Sequence, residues 1–204
     1  MARGGGVGTC LDVFRPRYAS LSKTKGQSAG AVYIGNRFSG STSFVNQGNR
    51  RGAQMLTISD WHGDVFYTND PTHPDYNEDF IGAKRKVGFM EGNNSSVLVS
   101  DKFMYAVEND LDWTLKHPNT NHPNYDSDWD GDIDKWIHNF GAYEDALTMV
   151  RTVRAVDMWN KLQEANHSSA EPGIIYIDRV NHEANRHIYS KRIKATNPCG
   201  EQPI

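Results

Sequence analysis

The sequence predicts an α/β fold with parallel strand pairing. Short apolar strands at Met55–Ile58 and Ser96–Val99 alternate with stretches of helical periodicity. One unit is especially clear: a helix over Val153–Asn166, closed by Glu171-Pro172-Gly173, runs into the apolar stretch Ile174-Ile175-Tyr176-Ile177. Strands alternating with helices point to parallel neighbours joined by crossovers. The 204 residues suffice for one domain with a real core.

The elements follow in order. Gly4-Gly5-Gly6-Val7-Gly8 opens the chain, and Leu11-Asp12-Val13-Phe14 continues it with strand-like alternation. Such glycines allow close backbone approach to another segment, or a tight turn between strands. The second half of a GxGxxG pattern is missing, so no dinucleotide site is expected. Thr24–Gly30 reads as a loop and Phe44–Gln47 as part of a short helix; Gln47-Gly48-Asn49-Arg50-Arg51-Gly52 then breaks the pattern before the first apolar strand. Pro71 and Pro74 mark another loop. Asn77–Lys86 looks helical and ends in the one basic cluster, Lys84-Arg85-Lys86, which suits a helix end or solvent, with phosphate contact as the sharper alternative. Ser100 or Asp101 caps a helix with Phe103, Met104 and Val107 on one face. Thr152 stands where it can cap the Val153–Asn166 helix, whose Ala155, Met158, Trp159 and Leu162 form a stripe.

Bulk properties exclude several classes. Net charge is −3 and the isoelectric point is near 6.2, so no basic footprint argues for nucleic acid or an anionic membrane. No apolar run approaches the roughly 20 residues of a membrane span, and MARGGGVGTC carries no signal-peptide core. The expectation is a soluble, cytoplasmic chain whose Cys10 and Cys199 stay reduced. Three Asn-x-Ser triplets, at Asn93, Asn94 and Asn166, match the glycosylation pattern, but that compartment argues against their use.

Asp126-Ser127-Asp128-Trp129-Asp130-Gly131-Asp132 imitates the start of a calcium loop, with Asp134 at the ninth position. The bidentate acid due at the twelfth position is replaced by Ile137, and two prolines interrupt the entering helix. A capped acidic surface excursion is the better account of Asp126–Asp134; a calcium-binding or interaction module is the rival. His117 and His122 bracket the loop with no helix to align them as metal ligands.

The stretch ATNPCGEQPI, Ala195–Ile204, holds the most chemistry. Asn197 precedes a proline and is pushed extended, while Gly200 permits a sharp turn that sets Cys199 at a loop tip near Glu201. A carboxylate opposes thiolate formation, which disfavours cysteine-protease logic. A neutral thiol working by hydrogen-atom transfer has no such conflict, and the carboxylate is then free to move protons on a bound hydroxyl. A buried cysteine in a turn is the plainer alternative.

Asn197-Pro198-Cys199-Gly200-Glu201 resembles the finger-loop motif of ribonucleotide reductase catalytic subunits. Further segments resemble that family in order: Gly4–Gly8, Arg15-Pro16-Arg17, Gln47-Gly48 with Arg50-Arg51-Gly52-Ala53, Asp101–Glu108 and Glu171-Pro172-Gly173. The RRGA form and the YDSDWDGDIDKW excursion are most similar to the adenosylcobalamin-dependent branch; a class I large subunit with a separate radical-generating partner is the alternative.

The resemblance implies a ten-stranded α/β barrel, of which this chain represents about the first half-barrel up to the finger loop. It implies radical reduction of ribonucleotides to 2′-deoxyribonucleotides. Cys199 is then the thiyl carrier that takes the 3′-hydrogen, Glu201 the base on the 3′-hydroxyl, and Asn197 a hydrogen-bonding partner of the ribose hydroxyls. Lys86, Glu91, Gly92, Asn93 and Asn94 fall in the loop that links a deoxynucleotide effector to substrate. Implied partners are the ribonucleotide, the effector, a thioredoxin- or glutaredoxin-like dithiol reductant and the rest of the enzyme. Implied cofactor is adenosylcobalamin, held mainly by parts outside this chain. Cys10 does not match the family's reducing cysteine pair, and Asn49 stands where glycine is common. The expectation is therefore one incomplete catalytic-barrel domain over residues 1–204, without the N-terminal effector region or second half-barrel and inactive alone.

Overall fold

The computed structural model describes residues 5–21, 25–47, 50–185 and 192–203. Gly4, Thr24, Gly48, Asn49 and Ile204, named above, lie outside the described residues. The first half of the chain forms β1 (Val7–Cys10), β2 (Ser20–Leu21), β3 (Gly26–Gln27), α1 (Ala31–Phe44), β4 (Asn46–Gln47), β5 (Arg50–Arg51), β6 (Gln54–Ser59), a 3-10 turn at Ala83–Arg85, and β7 (Asn94–Val99). The second forms α2 (Asp101–Glu108), β8 (Asp112–Pro118), α3 (Tyr125–Asp128), α4 (Ile133–Phe140), β9 (Leu147–Arg154), α5 (Ala155–Ser169), β10 (Gly173–Tyr176) and α6 (Ile177–Glu183).

The predicted α/β architecture is present. Four strands pair in the order β1-β6-β7-β10, every neighbour parallel, with Gly8 opposite Met55, Thr57 opposite Ser96 and Ile174 opposite Val97. All of β6 is buried, as expected of a central parallel strand covered on both faces. Side chains alternate along each strand. Leu56, Ile58, Val97 and Val99 join Phe103, Met158 and Leu162 in one core beneath α2 and α5. Leu98, Cys10 and Ile175 turn to the opposite face, where they meet Ile177 and Ile193.

α2 shows how this sheet orders its helices. Ser100 caps it by accepting from the Phe103 N–H at 3.1 Å, as the sequence predicts; such caps stabilise by about 1 kcal/mol. Two further N–H groups at its start are satisfied from a distance. Asp60 accepts from Ser100 N at 2.6 Å and Asp178 from Asp101 N at 2.9 Å.

Other expectations are corrected. The first strand is Val7–Cys10 rather than Leu11–Phe14, because Val7–Cys10 pairs with Gln54–Thr57 while Leu11 to Phe14 closes a turn. The helix placed at Phe44–Gln47 ends at Phe44; Asn46–Gln47 instead pairs with Arg50–Arg51. Asn77–Lys86 is a series of turns, with only Ala83–Arg85 helical, since Asp79 accepts from Tyr67 N and Gly82 N and pins the backbone. Thr152 lies in β9 opposite Thr114, so α5 starts at Ala155, after Arg154, and extends to Ser169.

The β8–β9 hairpin carries the acidic excursion. Trp136, Tyr125, Ile133, Trp61 and Leu147 form a second core under it, and the Trp136 indole donates to the Ala146 carbonyl at 2.7 Å. His122 stacks in this cluster against Phe140, while His117 is buried against His62 and Trp129. The two histidines thus serve separate contacts. Among the described residues, no group of three or more His, Cys, Asp or Glu is placed to hold a metal ion.

Candidate active site

Residues 192–203 run across the inner face of the sheet. Ile193 is buried beside Leu98 and Cys10, the Lys194 carbonyl accepts from Thr57 Oγ1 at 2.7 Å, and the Pro198 carbonyl accepts from Asn94 Nδ2 at 2.7 Å. Ile193 therefore lies near the carboxyl end of β1, and Pro198 near the amino ends of β1 and β7. The segment passes antiparallel to β1 and reaches its tip at Cys199.

The glycine-rich opening makes this passage possible. A Cβ on Gly8 would stand 2.0 Å from the Thr196 carbonyl oxygen, and one on Gly6 2.3 Å from Pro198 Cγ. The close approach read from the sequence is thus an approach to the finger itself. Only residues without a side chain admit it.

The tip is a small closed hairpin. Thr196 and Pro203 form an antiparallel bridge, Asn197 N donates to the Gln202 carbonyl at 3.0 Å, and Gly200 N donates to the Asn197 carbonyl at 3.0 Å. Gly200 holds φ at 86°, the left-handed region that glycine enters freely. The Asn197 side chain is used at both ends: Oδ1 accepts from Gln202 N at 2.8 Å, and Nδ2 donates to Glu201 Oε1 at 2.7 Å. Cys199 and Glu201 are exposed while Thr196 and Pro198 are buried, so the loop is anchored by its neighbours and presents its thiol. Cysteine, carboxylate and carboxamide project from one five-residue turn, a set able to exchange a hydrogen atom and a proton. The plainer reading, a buried turn cysteine, does not hold.

Cys10 and Cys199 are both free thiols. Cys10 belongs to β1, where enclosure by the protein, and then the charge of Asp12, push its thiol well above the usual range. That environment suppresses the reactive anion.

The stretch Lys86–Asn94 ties α1 to the finger. Met90 N donates to Asn36 Oδ1 at 2.8 Å and Gly92 N to Ser39 Oγ at 2.7 Å, both on α1. Glu91 accepts from Gly88 N at 2.8 Å, and Lys86 pairs with Glu78 at 2.5 Å. Asn93 is buried with its Oδ1 unpartnered among the described residues, whereas Asn94 reaches Pro198. Lys84 pairs with Glu171, and Arg85 lies 3.9 Å from Glu164, so all three members of the basic cluster have carboxylate neighbours. A cleft of about 310 Å³ opens here, lined by Thr42, Gln54, Lys84, Glu91 and Asn93 among others.

The family described as "Ribonucleotide reductase, barrel domain" matches residues 1–204. The chain belongs to the ribonucleotide reductase barrel-domain family. Similar proteins include a ribonucleoside-diphosphate reductase large subunit of Danio rerio, 28% identical over 97% of this chain and 23% of that protein. Vitamin B12-dependent ribonucleoside-diphosphate reductases of Thermoplasma acidophilum (27% identical, 98% of this chain, 21% of that protein) and Mycobacterium tuberculosis (28%, 98% and 24%) are also similar. The chain spans between a fifth and a quarter of the length of these relatives. Its four-stranded parallel sheet is open rather than closed, as a partial reductase barrel requires.

The sequence identified Cys199, Glu201 and Asn197, and the structure brings them into one turn. What it did not identify is the support: Thr57, and the cations Arg192 and Lys194 that precede the turn. No local pattern marks them, because their partners lie far away in sequence. Their one legible trace is the alternation Arg192-Ile193-Lys194 around an apolar anchor.

Proposed function

We propose that this chain supplies the radical-carrying finger of a ribonucleotide reductase, which reduces ribonucleotides to 2′-deoxyribonucleotides. The observation that carries the reading is the Asn197–Cys199–Glu201 turn, with its thiol exposed and its carboxylate hydrogen-bonded to the carboxamide at 2.7 Å. Cys199, as a thiyl radical, removes the 3′-hydrogen atom of the ribose and becomes a thiol. Glu201 accepts the proton of the 3′-hydroxyl, and Asn197 orients the ribose hydroxyls while holding Glu201 in place. The 2′-hydroxyl takes up a proton and leaves as water. A dithiol reductant of the thioredoxin or glutaredoxin type supplies two electrons and two protons, one for that water and one for the new C2′–H bond, and ends as a disulfide, while Glu201 returns its proton to the 3′-oxygen. Cys199 returns the hydrogen atom to C3′.

The Cys199 sulfur is exposed and none of the hydrogen bonds closing the hairpin uses it, which supports access by adenosylcobalamin. The cofactor, when bound, supplies the radical initiator. The preference for it over a class I partner subunit rests on the RRGA form and the acidic excursion, since relatives of both kinds are similar to this chain. The loop containing Lys86, Glu91, Gly92, Asn93 and Asn94 is the proposed relay between a deoxynucleotide effector and the substrate; it contacts α1 on one side and the finger on the other. Effector and substrate affinities would then be coupled reciprocally.

The test combines this chain with the remainder of a reductase large subunit and measures deoxynucleotide formation with a dithiol. Adenosylcobalamin is supplied in one arm and a class I radical-generating subunit in the other. Turnover is expected in the first arm and none from the chain alone. Cys199→Ser should abolish turnover and leave nucleotide binding intact. Turnover by that variant overturns the thiyl assignment, and turnover by the isolated chain overturns its incompleteness.

A further inference from the structure

The acidic excursion that fails as a calcium loop has another use. Asp130, Asp132 and Asp134 stand at alternate positions leading into α4; Arg192 and Lys194 stand at alternate positions leading into the finger. Lys194 Nζ donates to the Asp130 carbonyl at 3.2 Å and lies 3.7 Å from the Asp130 carboxylate and 3.9 Å from that of Asp132. Arg192 pairs with Asp134 at 2.5 Å through Nη1, and with Asp178 of α6 through Nη2. Two cations on one short segment thus face four carboxylates, three on the acidic excursion and one on α6. Both cations are partly buried: the Lys194 side chain is 20% exposed and Arg192 29%.

The finger needs something to set its register. Toward the tip it passes Gly6 and Gly8, which offer no side chain to block sliding, and Ile193 meets a β1 side chain, at Cys10. The bonds from Thr57 and Asn94 end on backbone carbonyls, which every residue provides. A displacement along the strand would exchange one carbonyl for another at little cost. Side chains must specify the position. Ile193 sets the depth by filling the apolar seat beside Leu98 and Ile177. The flanking cations are the groups whose partners change if the strand slips.

We propose that Arg192 and Lys194 are positioning residues for Cys199: docked on Asp130, Asp132, Asp134 and Asp178, they fix the register of the finger strand and hence where the thiol stands over the sheet. The catalytic consequence rests on the radical-carrier reading above; the test does not, because it observes the loop itself.

The experiment is amide hydrogen exchange on the full chain. Lys194→Met should raise exchange at the Asn197 and Gln202 amides by about tenfold or more, with Leu56 and Ile58 in β6 unchanged. Lys194→Arg should restore protection. The charge-swapped pair Lys194→Glu with Asp130→Lys should recover more protection than Lys194→Glu alone. In the unaltered chain, salt at about 0.5 M should loosen the finger amides selectively. Unchanged finger protection in Lys194→Met overturns the proposal, as does loss of protection spread equally through β6. If Lys194→Met folds poorly, the salt titration decides, and a finger indifferent to salt overturns it. A finger that loosens as described while Cys199→Ser retains turnover in the completed enzyme would refute the radical-carrier reading and leave the positioning role standing.

Discussion

Gly6 and Pro198 meet so closely that a Cβ on residue 6 would fall 2.3 Å from the proline Cγ. The contact joins the start of β1 to the finger, and Gly8 repeats it more severely against the Thr196 backbone oxygen at 2.0 Å. Proline can be pushed aside with its loop, whereas a buried backbone carbonyl has less freedom. Gly8→Ala should therefore destabilise more than Gly6→Ala, the latter by about 1–3 kcal/mol as overpacking does. Gly40, inside α1 with open space around its Cβ position, is the opposite case. Gly40→Ala should stabilise by about 0.5–1 kcal/mol. Urea unfolding of the three variants checks the order, and equal effects at positions 6 and 40 would contradict it.

Asn197 and Glu201 separate structure from chemistry in the finger. Asn197→Ala removes two hydrogen bonds, to Glu201 and from Gln202 N, and should cost about 1–3 kcal/mol of local stability, visible as faster exchange at the Gln202 amide. Glu201→Gln keeps an acceptor for Asn197 but removes the base. It should leave exchange unchanged while lowering turnover of a completed enzyme by about 10²–10⁴-fold. A fully active Glu201→Gln enzyme would remove Glu201 from proton transfer.

Two buried groups give opposite acid responses. Burial pushes the Asp60 carboxyl from 3.8 up to about 7, outweighing the Ser100 N–H bond. Burial and neighbouring His62 push the His117 imidazole from 6.5 down to about 3. Asp60 favours the folded state at low pH, and that contribution is lost as pH rises from 3.8 to about 7. His117 favours it above 6.5, and that contribution is lost as pH falls toward about 3. Between 3.8 and 6.5 the slopes, each about 1.4 kcal/mol per pH unit, oppose and nearly cancel. Relative to the unaltered chain, Asp60→Asn should lose stability on acidification across that window, and His117→Asn should gain it. Denaturant unfolding as a function of pH measures both, and parallel curves for all three proteins would refute the pairing.

Lys161 and Asp79 form an ion pair at 2.7 Å with side-chain exposures of 1% and 0%. The ammonium also donates to the carbonyls of Thr68 and Tyr76. Lys161→Met strands the carboxylate and should cost about 3–5 kcal/mol. Adding Asp79→Asn should recover part of that loss, because the amide oxygen still accepts while the charge is gone. A double-mutant cycle of unfolding free energies reads the coupling, and an additive result would exclude it.

Legibility followed sequence distance. The strands β6, β7 and β10 and the cap of α2 were readable because apolar runs and a serine before a helix act locally. α1 was not: its N-cap position is Gly30, with no side chain to signal a start, and its interior carries Gly35, Gly40, Ser39, Ser41 and Ser43, poor helix formers. Its cap comes from Asp64, which accepts from Ala31 N at 2.7 Å across 33 residues. Likewise Asn77–Lys86 has a helical pattern, yet Asp79 is engaged by Lys161 from α5 and the segment stays in turns. The proposed catalytic trio, Asn197, Cys199 and Glu201, was legible as five contiguous residues, whereas Arg192 and Lys194 acquire meaning only once the acidic excursion lies beside them.

The passage of residues 193–198 over β1 also constrains how the molecule is made. Val7–Cys10 leaves the ribosome before the segment that covers its inner face, which follows some 185 residues later. At synthesis rates of roughly 5–20 residues per second, that face waits on the order of 10–40 s for its cover. During the delay a glycine-lined strand stands uncovered on that face. The nascent chain therefore has a window in which chaperone engagement matters most, and it closes only when the finger arrives.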